Sequence, residues 1–377
     1  MMVSELRFFS AATLCFFFWS MTFSSSPAFS AEKKAFSLSG HYRNLLILSE
    51  TASDKSYYLD SNRIRIEASG QPAEVLSYTL KYDNNLSLGN YLSTDEFAAA
   101  EGAARSVPRQ TYWDMDEEIS RRGEMRWGHS IYRAYINVRH RSADLKLGRQ
   151  GVAWGRGWFF SPLDVFNPIS PTAIERGERA GVDGVLMELS RGMAGRASFL
   201  YLPQQSFNDS FAARAETLYH SYDLAISLGR HRDVDFYGFD FSGYIGDAGF
   251  KGEFVFSDEE GQGRESLLLS GNYTFENSLY IMLEYFRYEG GNLHPISYSG
   301  EDYAGLSVAY ELTPLIRWDN YLILNLSDGS MFFSPALSYS VRENLDIRFG
   351  LQFFTGSSGD EYGDKKDSSY AELDWYF

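Results

Sequence analysis

The stretch Asp367–Phe377, at the end of the chain, reads DSSYAELDWYF. Successive side chains of an extended strand point to opposite faces, so this stretch has one apolar and one polar face. The apolar face comprises Ala371, Leu373, Trp375 and Phe377. The polar face comprises Tyr370, Glu372, Asp374 and Tyr376. This pattern is typical of a strand with lipid on one side and water on the other. The alternative is the last strand of a soluble sandwich.

The same alternation recurs along most of the chain, and it predicts an all-β fold: a closed antiparallel transmembrane β-barrel. Most segments approach the roughly nine to eleven residues that a tilted strand needs to cross a bilayer. The weakest segment is 210–217. The eighteen predicted strands are 36–48, 58–68, 73–86, 127–140, 143–150, 182–190, 194–202, 210–217, 220–229, 234–245, 248–257, 264–275, 278–288, 301–311, 315–326, 330–340, 344–355 and 367–377.

The connection lengths provide a second test of the strand number. Bacterial barrels have both termini in the periplasm, short periplasmic turns and longer outer loops. Counted from the C-terminus, 341–343 and 246–247 are short turns; counted from the N-terminus, 87–126 and 151–181 are long outer connections. The two counts agree only if 210–217 crosses the membrane. This favours eighteen strands over seventeen, and sixteen is the alternative if two short segments are misassigned.

The beginning of the chain has the composition of a secretory signal peptide, which we predict over 1–30, followed by a barrel over 31–377. Arg7 lies in a short polar start, 8–23 is mostly apolar, and small residues precede the expected cleavage site. A transmembrane anchor is the alternative, but the apolar run is short. The one cysteine of the chain, Cys15, lies in this segment. The mature chain therefore has no disulfide and no thiolate metal site.

The composition fits a barrel with a polar interior. The chain contains 26 Tyr and 29 Phe, and aromatic residues form girdles at the two interfaces of such barrels. The net charge of −16 argues against nucleic acid as a partner, because the phosphate backbone attracts basic proteins. A short helix is predicted over 94–106, where Thr94 would cap its N-terminus.

Period two also assigns side chains to the two faces of the ring. In 127–140, Tyr132 would face lipid, whereas Arg133 and His129 would face the lumen. The early strands together predict a basic wall formed by Arg63, Arg65, Lys81, Arg133, Arg139, Lys146 and Arg196. The later strands predict an acidic wall formed by Asp240, Glu284, Glu311, Asp346, Glu372 and Asp374. Two such arcs would set up a field across the lumen; the alternative is that these charges are solvated or paired with neighbours.

The connection 151–181 is the best candidate to narrow the lumen. It is rich in Gly and Pro and carries bulky aromatic residues that need a surface to pack against. We expect it to fold into the barrel, with a lid that stays outside as the alternative. The residues predicted to form the constriction are Trp154, Arg156, Trp158, Asp164, Glu175, Arg176 and Arg179.

Two parts of the sequence resemble known barrels. The run Leu147–Gln150, the run WGRGWFFSPLDVFNP over 154–168 and the run Gly181–Val185 look like a Gram-negative outer-membrane porin-like family that includes alginate-export-like and carbohydrate-porin-like barrels. In that family a strand ending in Gly-Arg-Gln leads into a loop that narrows the channel. The C-terminal alternation resembles the signal for outer-membrane barrel assembly, which here would comprise Leu373, Trp375 and Phe377.

The resemblance implies a channel in the outer membrane of a Gram-negative bacterium that allows passive diffusion of small hydrophilic solutes. The alternative is a barrel sleeve around multihaem cytochromes in an electron conduit. No His of the chain lies in a recognisable catalytic context, so we expect no enzyme activity, no cofactor and no metal site. The expected partners are outer-membrane lipid and lipopolysaccharide, the barrel-assembly machinery and small polar solutes, with a homotrimer as a further expectation.

Overall fold

The computed structural model describes residues 36–106, 109, 111–192 and 194–377. Its strands pair in one antiparallel sheet that closes on itself, because the first strand pairs with both the second and the last. The closing pair is in continuous register from His41 opposite Tyr376 to Ser49 opposite Ser368. The predicted signal peptide over 1–30 lies outside the described residues.

Nineteen strands are present in the part of the chain that the structure describes. Their bounds are β1 Ser37–Glu50, β2 Ser56–Ala73, β3 Leu76–Leu88, β4 Asp116–Arg122, β5 Met125–His140, β6 Ala143–Gln150, β7 Val182–Arg191, β8 Gly195–Leu202, β9 Ser210–Tyr219, β10 Tyr222–His231, β11 Val234–Ile245, β12 Ala248–Glu259, β13 Gln262–Thr274, β14 Tyr280–Tyr288, β15 Asp302–Thr313, β16 Ile316–Asn325, β17 Met331–Arg342, β18 Leu345–Thr355 and β19 Ser368–Tyr376.

Eighteen of these described strands form the ring, and β4 is additional. β3 pairs directly with β5, whereas β4 pairs only with the first residues of β5, on the edge that β6 occupies further along. The eighteen-strand prediction is therefore confirmed, and the weakest predicted segment is the full strand β9. β4 was missed because its sequence DEEISRR has no apolar face; it extends the hairpin beyond β6.

One helix of regular length lies in the connection between β3 and β4. α1 (Asp95–Ser106) follows a short 3-10 turn at Asn90–Ser93. The hydroxyl of Thr94 accepts a hydrogen bond from the Phe97 N–H at 3.1 Å, so the predicted N-terminal cap is confirmed. Within the part of the chain described, no helix is long and apolar enough to cross a membrane.

The two ends of the barrel differ in the length of their connections. One end, here the turn end, carries both termini and tight hairpins such as 141–142 and 246–247. Gly246 adopts a φ of 61°, a left-handed conformation that glycine reaches without a steric penalty. The other end, here the loop end, carries 89–124, 151–181 and 289–301. This asymmetry agrees with the connection lengths expected from the sequence.

A β-bulge in β5 changes the predicted faces of that strand. Register shifts by one residue between the β3 pair Lys81/Tyr82 and their β5 partners Arg133/Ile131. The extra residue, Tyr132, points into the ring, where its ring lies 3.7 Å from the guanidinium carbon of Arg65. The prediction that Tyr132 faces lipid is therefore wrong. The inward prediction for His129 is also wrong, because the bulge reverses the alternation towards the loop end.

Candidate functional site

The connection 151–181, here called the inner loop, leaves β6 and returns to β7 after crossing the inside of the ring. Its residues contact inward-facing side chains of β2 and of β12, which lie on opposite sides of the ring. The inward folding expected from its aromatic content is therefore confirmed. The contacts that hold the inner loop fall into two apolar clusters and several charged groups.

The first apolar cluster joins the inner loop to strands β7–β12. Trp154 packs edge-on against Phe166, with ring centroids 5.2 Å apart. Leu163 and Phe166 are both 0% exposed. Gly238 leaves the space for Leu163, because an added Cβ there would collide with the leucine side chain. The wall residues in this cluster are Val182, Leu186, Leu200, Leu202, Ala212, Val234, Phe236 and Val255.

The second apolar cluster joins the same loop to strands β13–β17. Phe160 stacks on Phe286 with ring centroids 4.8 Å apart and an angle of 11° between the planes. Phe159 lies edge-on to Tyr321 at 5.9 Å. Burial of each phenyl side chain contributes about 1.5–3 kcal/mol. The aromatic residues of the loop therefore provide the main apolar attachment to the wall.

Glu253 on β12 holds the turn between these two clusters. Its carboxylate accepts hydrogen bonds from the Gly157 N–H at 2.6 Å, the Leu163 N–H at 3.0 Å and the Ser161 hydroxyl at 2.9 Å. The Arg156 N–H also donates to it. Glu253 is 2% exposed. A buried carboxylate needs such a set of donors, because an unpaired charge in the interior is costly.

Two members of the predicted acidic wall have a similar role. Glu284 accepts hydrogen bonds from the Trp158 and Phe159 N–H groups, both at 2.6 Å. Asp240 pairs with Arg214 of β9 at 2.6 Å and with Arg156 of the inner loop. Asp240 is 0% and Glu284 3% exposed. The prediction that Asp240 and Glu284 line an open lumen is therefore wrong, because the inner loop covers both side chains and binds to them.

On the opposite side of the ring, arginines of β1 and β2 bind the returning part of the inner loop. Arg65 pairs with Asp83 of β3 at 2.5 Å and with Glu178 at 2.7 Å. Glu175 lies 2.9 Å from Arg63 and 3.2 Å from Arg43. Burial raises the pKa of Glu178, but hydrogen bonds from Arg65 outweigh this and lower the pKa to about 2.

Arg133 and Tyr132 fix the end of the inner loop. The Arg133 guanidinium donates to the Arg179 carbonyl at 2.6 Å, and the Tyr132 hydroxyl donates to the same oxygen at 2.8 Å. Arg179 itself pairs with Asp164 and donates to the Asn167 carbonyl at 3.0 Å. Arg65 and Arg133, both predicted for the basic wall, are therefore buried contacts of the loop, at 4% and 9% exposure.

The remaining predicted wall residues lie mostly towards the turn end. Arg139 is 69% exposed and pairs with Asp144 at 2.7 Å. Arg196 is 56% exposed, with Glu188 at 3.6 Å. Within the same part of the ring, most of the other predicted residues also have side-chain partners: Lys81 pairs with Glu67, Lys146 lies over Tyr135, Asp346 accepts a hydrogen bond from Ser340, and Glu372 and Asp374 both contact Arg43. Glu311 lies opposite Arg317 in the register of β15 and β16.

The inner loop leaves two water-accessible cavities. The turn-end cavity has a volume of about 460 Å³ and is lined by Arg43, Glu175, Arg176, Arg317, Arg348 and Glu372, among others. The loop-side cavity has a volume of about 330 Å³ and is lined by Arg156, Trp158, Asp164, Arg176, Arg179 and Lys251, among others. The predicted constriction residues thus lie at or between these cavities, except Trp154, which is buried in the first apolar cluster.

A second connection also packs against the inner loop and was missed in the sequence. In 289–301, the imidazole Nε2 of His294 lies 3.2 Å from the Ser161 carbonyl, and Tyr298 packs edge-on against Phe160 at 5.7 Å. Burial lowers the pKa of His294 to about 4, so this histidine is neutral near pH 7. Within the described residues, no group of three or more His, Cys, Asp or Glu side chains is arranged to hold a metal ion.

Comparison with solved structures identifies the architecture. OccAB1 of Acinetobacter baumannii superimposes with a TM-score of 0.59 over 91% of this chain and 97% of that chain, at 11% identity. The chain has the fold of a Gram-negative outer-membrane porin. Two Pseudomonas aeruginosa proteins, OccK8 (OprE) and OccK3 (OpdO), also match with TM-scores of 0.59, at 10% and 11% identity. The superpositions include 98% of OccK8 and 95% of OccK3, and 91% of this chain in both cases.

No family model and no curated protein matches the sequence. The likeness therefore concerns the fold, and at this identity individual pore residues cannot be transferred.

Proposed function

We propose that this barrel is an outer-membrane channel through which small hydrophilic solutes diffuse passively. The observation that carries the proposal is a lumen that the inner loop narrows, with two water-accessible cavities lined by the inner loop and largely by polar and charged residues. A ring of eighteen strands is wide enough for an aqueous passage. The structural neighbours are Occ and Opd channels, which supports the same conclusion. The channel would lie in the outer membrane of a Gram-negative bacterium.

A sleeve around a cytochrome is not favoured. The inner loop contacts β2 and β12 on opposite sides of the ring and so occupies the space that an inserted protein would need. The loop is also fixed by buried charges such as Glu253 and Asp240, which an inserted partner would have to displace. The geometry therefore supports a narrow solute path.

Several finer assignments stay predictions. They are the alginate-export-like or carbohydrate-porin-like subfamily, the signal peptide over 1–30, insertion by the barrel-assembly machinery, contact with lipopolysaccharide and a homotrimer. The aromatic residues exposed on the outside of the described barrel, such as Phe199, Tyr237 and Trp318, support contact with lipid and its headgroups.

The proposal is tested by refolding the chain from residue 31 onward in detergent and measuring its conductance in a planar bilayer. We expect discrete current steps of uniform size, because one folded barrel gives one defined path. Barrel folding is checked separately by the change in gel mobility on heating. A barrel that passes the folding check but gives no steps at any voltage would contradict the proposal.

A further inference from the structure

The two cavities have one residue in common among the residues that the structure describes. Arg176 lines both the turn-end cavity and the loop-side cavity, whereas the other lining residues belong to one cavity only. The adjacent residue Glu175 binds Arg43 and Arg63 on the ring, which fixes the backbone on one side of Arg176. Arg176 therefore lies between the two water-accessible cavities.

The Arg176 side chain is held across this boundary by contacts within the inner loop. Its guanidinium carbon lies 3.9 Å from the centroid of the Trp158 ring and 5.4 Å from that of Phe159. Its two terminal nitrogens donate to the carbonyls of Trp158 and Pro171. A planar guanidinium stacks on an aromatic face in a way that a lysine ammonium does not. The side chain thus closes the gap between two parts of one loop.

The charge of the Arg176 guanidinium is the second feature that bears on a passing solute. Among the described residues, its Nε atom is buried and has no hydrogen-bond partner, and its two terminal nitrogens donate to neutral carbonyls rather than to a carboxylate. Burial lowers the pKa of Arg176 to about 10, so the group still carries its charge near pH 7. This positive charge has no carboxylate partner among the described residues, and it lies at the lining of both cavities.

We infer that Arg176, stacked on Trp158, is the gate between the two cavities and determines both the conductance and the ion preference of the channel. This inference rests on the proposed channel function. A solute that moves from one cavity to the other passes the guanidinium, so removing the side chain widens the path and removing the charge changes its selectivity. If Arg176 served only to hold the loop together, its charge would not matter to the current.

The chain offers a clean chemical test of this inference. Cys15, in the predicted signal peptide, is the one cysteine of the sequence, so Arg176→Cys introduces a single thiol into the refolded barrel. We expect its single-channel conductance to rise at least about twofold, with a reversal potential shifted towards cations. Reaction with a trimethylammonium-ethyl thiosulfonate should shift the reversal potential back. Reaction with a sulfonatoethyl thiosulfonate should shift it further.

The matched control is Arg317→Cys, since Arg317 lines the turn-end cavity only and is 53% exposed. Both reagents should change its conductance and reversal potential much less. If the two reagents act alike on the Arg176→Cys barrel, or if Arg176→Cys and Arg317→Cys respond equally, the inference is wrong. These results would leave the channel function intact, because the wild-type barrel would still conduct.

A second variant, Arg176→Lys, tests the inference even if Arg176→Cys fails to fold. Arg176→Lys keeps the charge but not the planar stack, so we expect a raised conductance with an unchanged ion preference. An unchanged conductance in Arg176→Lys together with an unchanged reversal potential in Arg176→Cys overturns the inference. If all folded forms are silent, the inference and the channel function both fail.

Discussion

At the scale of single residues, Glu253 shows how one carboxylate can determine the path of a whole connection. It accepts hydrogen bonds from three backbone N–H groups and one hydroxyl of the inner loop. An acceptor-only group suits this position, and an amide would turn an NH₂ group towards N–H donors. Glu253→Gln should therefore cost roughly 2–4 kcal/mol, since hydrogen bonds to charged groups contribute about 1.5–3 kcal/mol each.

The Glu253→Gln variant is measured by urea unfolding and by the rate at which trypsin cleaves the inner loop, which contains Arg156, Arg176 and Arg179. Glu276→Gln, in the exposed turn between β13 and β14, is the matched control and should be neutral. Equal unfolding midpoints and equal cleavage rates for the two variants would contradict the role given to Glu253.

Glu178 gives the inner loop a pH dependence of defined sign. Its folded pKa of about 2 lies below its ordinary value of 4.5 because of the bonds to Arg65. A lowered carboxyl pKa stabilises the folded state above pH 4.5, and this contribution is lost as the pH falls from 4.5 through 2. We expect the unfolding free energy to decrease over this window, and Glu178→Gln to remove most of the difference. Identical pH profiles of the unfolding free energy in Glu178→Gln and in the wild type would contradict this role of Glu178.

At the scale of elements, the strands and the inner loop form different parts of the passage. The strands provide a ring that is too wide to select, and the loop provides the narrow part. Deleting 156–176 should raise the single-channel conductance several-fold, because it removes Arg176 and both aromatic attachments from the lumen. Deleting the α1 residues 95–106, which contact the loop-end rim through Glu96, is the matched control. A conductance that changes equally in both deletions would mean that the inner loop does not limit flow.

The strands were predictable from sequence, and the partners of the inner loop were not. Period-two alternation locates a strand and its two faces, and for β9 even a weak pattern sufficed. An inward carboxylate that lines water and one that binds a loop share the same parity, so Asp240 and Glu284 look like pore residues in the sequence. The bulge at Tyr132 leaves no pattern either, because an inserted residue reverses the alternation only in part of β5.

At the scale of the whole molecule, the ring is closed by the last residue of the chain. Phe377 and Gly40 exchange two backbone hydrogen bonds, at 2.8 and 2.9 Å. The Phe377 ring covers Gly40, where an added Cβ would lie 2.7 Å from it. Phe377→Ala should leave refolding in detergent largely unchanged, since most of the β1–β19 register remains. In cells we expect less assembled barrel, measured by heat-dependent gel mobility, if Phe377 belongs to the assembly signal. If the amount of folded barrel falls equally in detergent and in cells, Phe377 acts only by closing the ring and not as an assembly signal.

The charge of the whole lumen predicts different results for two arginines that look alike in the sequence. Arg139 is 69% exposed near the turn end, whereas Arg133 is buried against the Arg179 carbonyl. Arg139→Glu should shift the reversal potential towards cations in about 0.1 M salt, where screening extends over roughly 10 Å, without a change in stability. Arg133→Glu should instead lower the unfolding free energy, because it places a carboxylate near Glu178 and leaves the loop carbonyl without its donor. If both variants shift the reversal potential equally and have equal stability, Arg133 lines the lumen as Arg139 does, and the loop-binding role given to Arg133 is wrong.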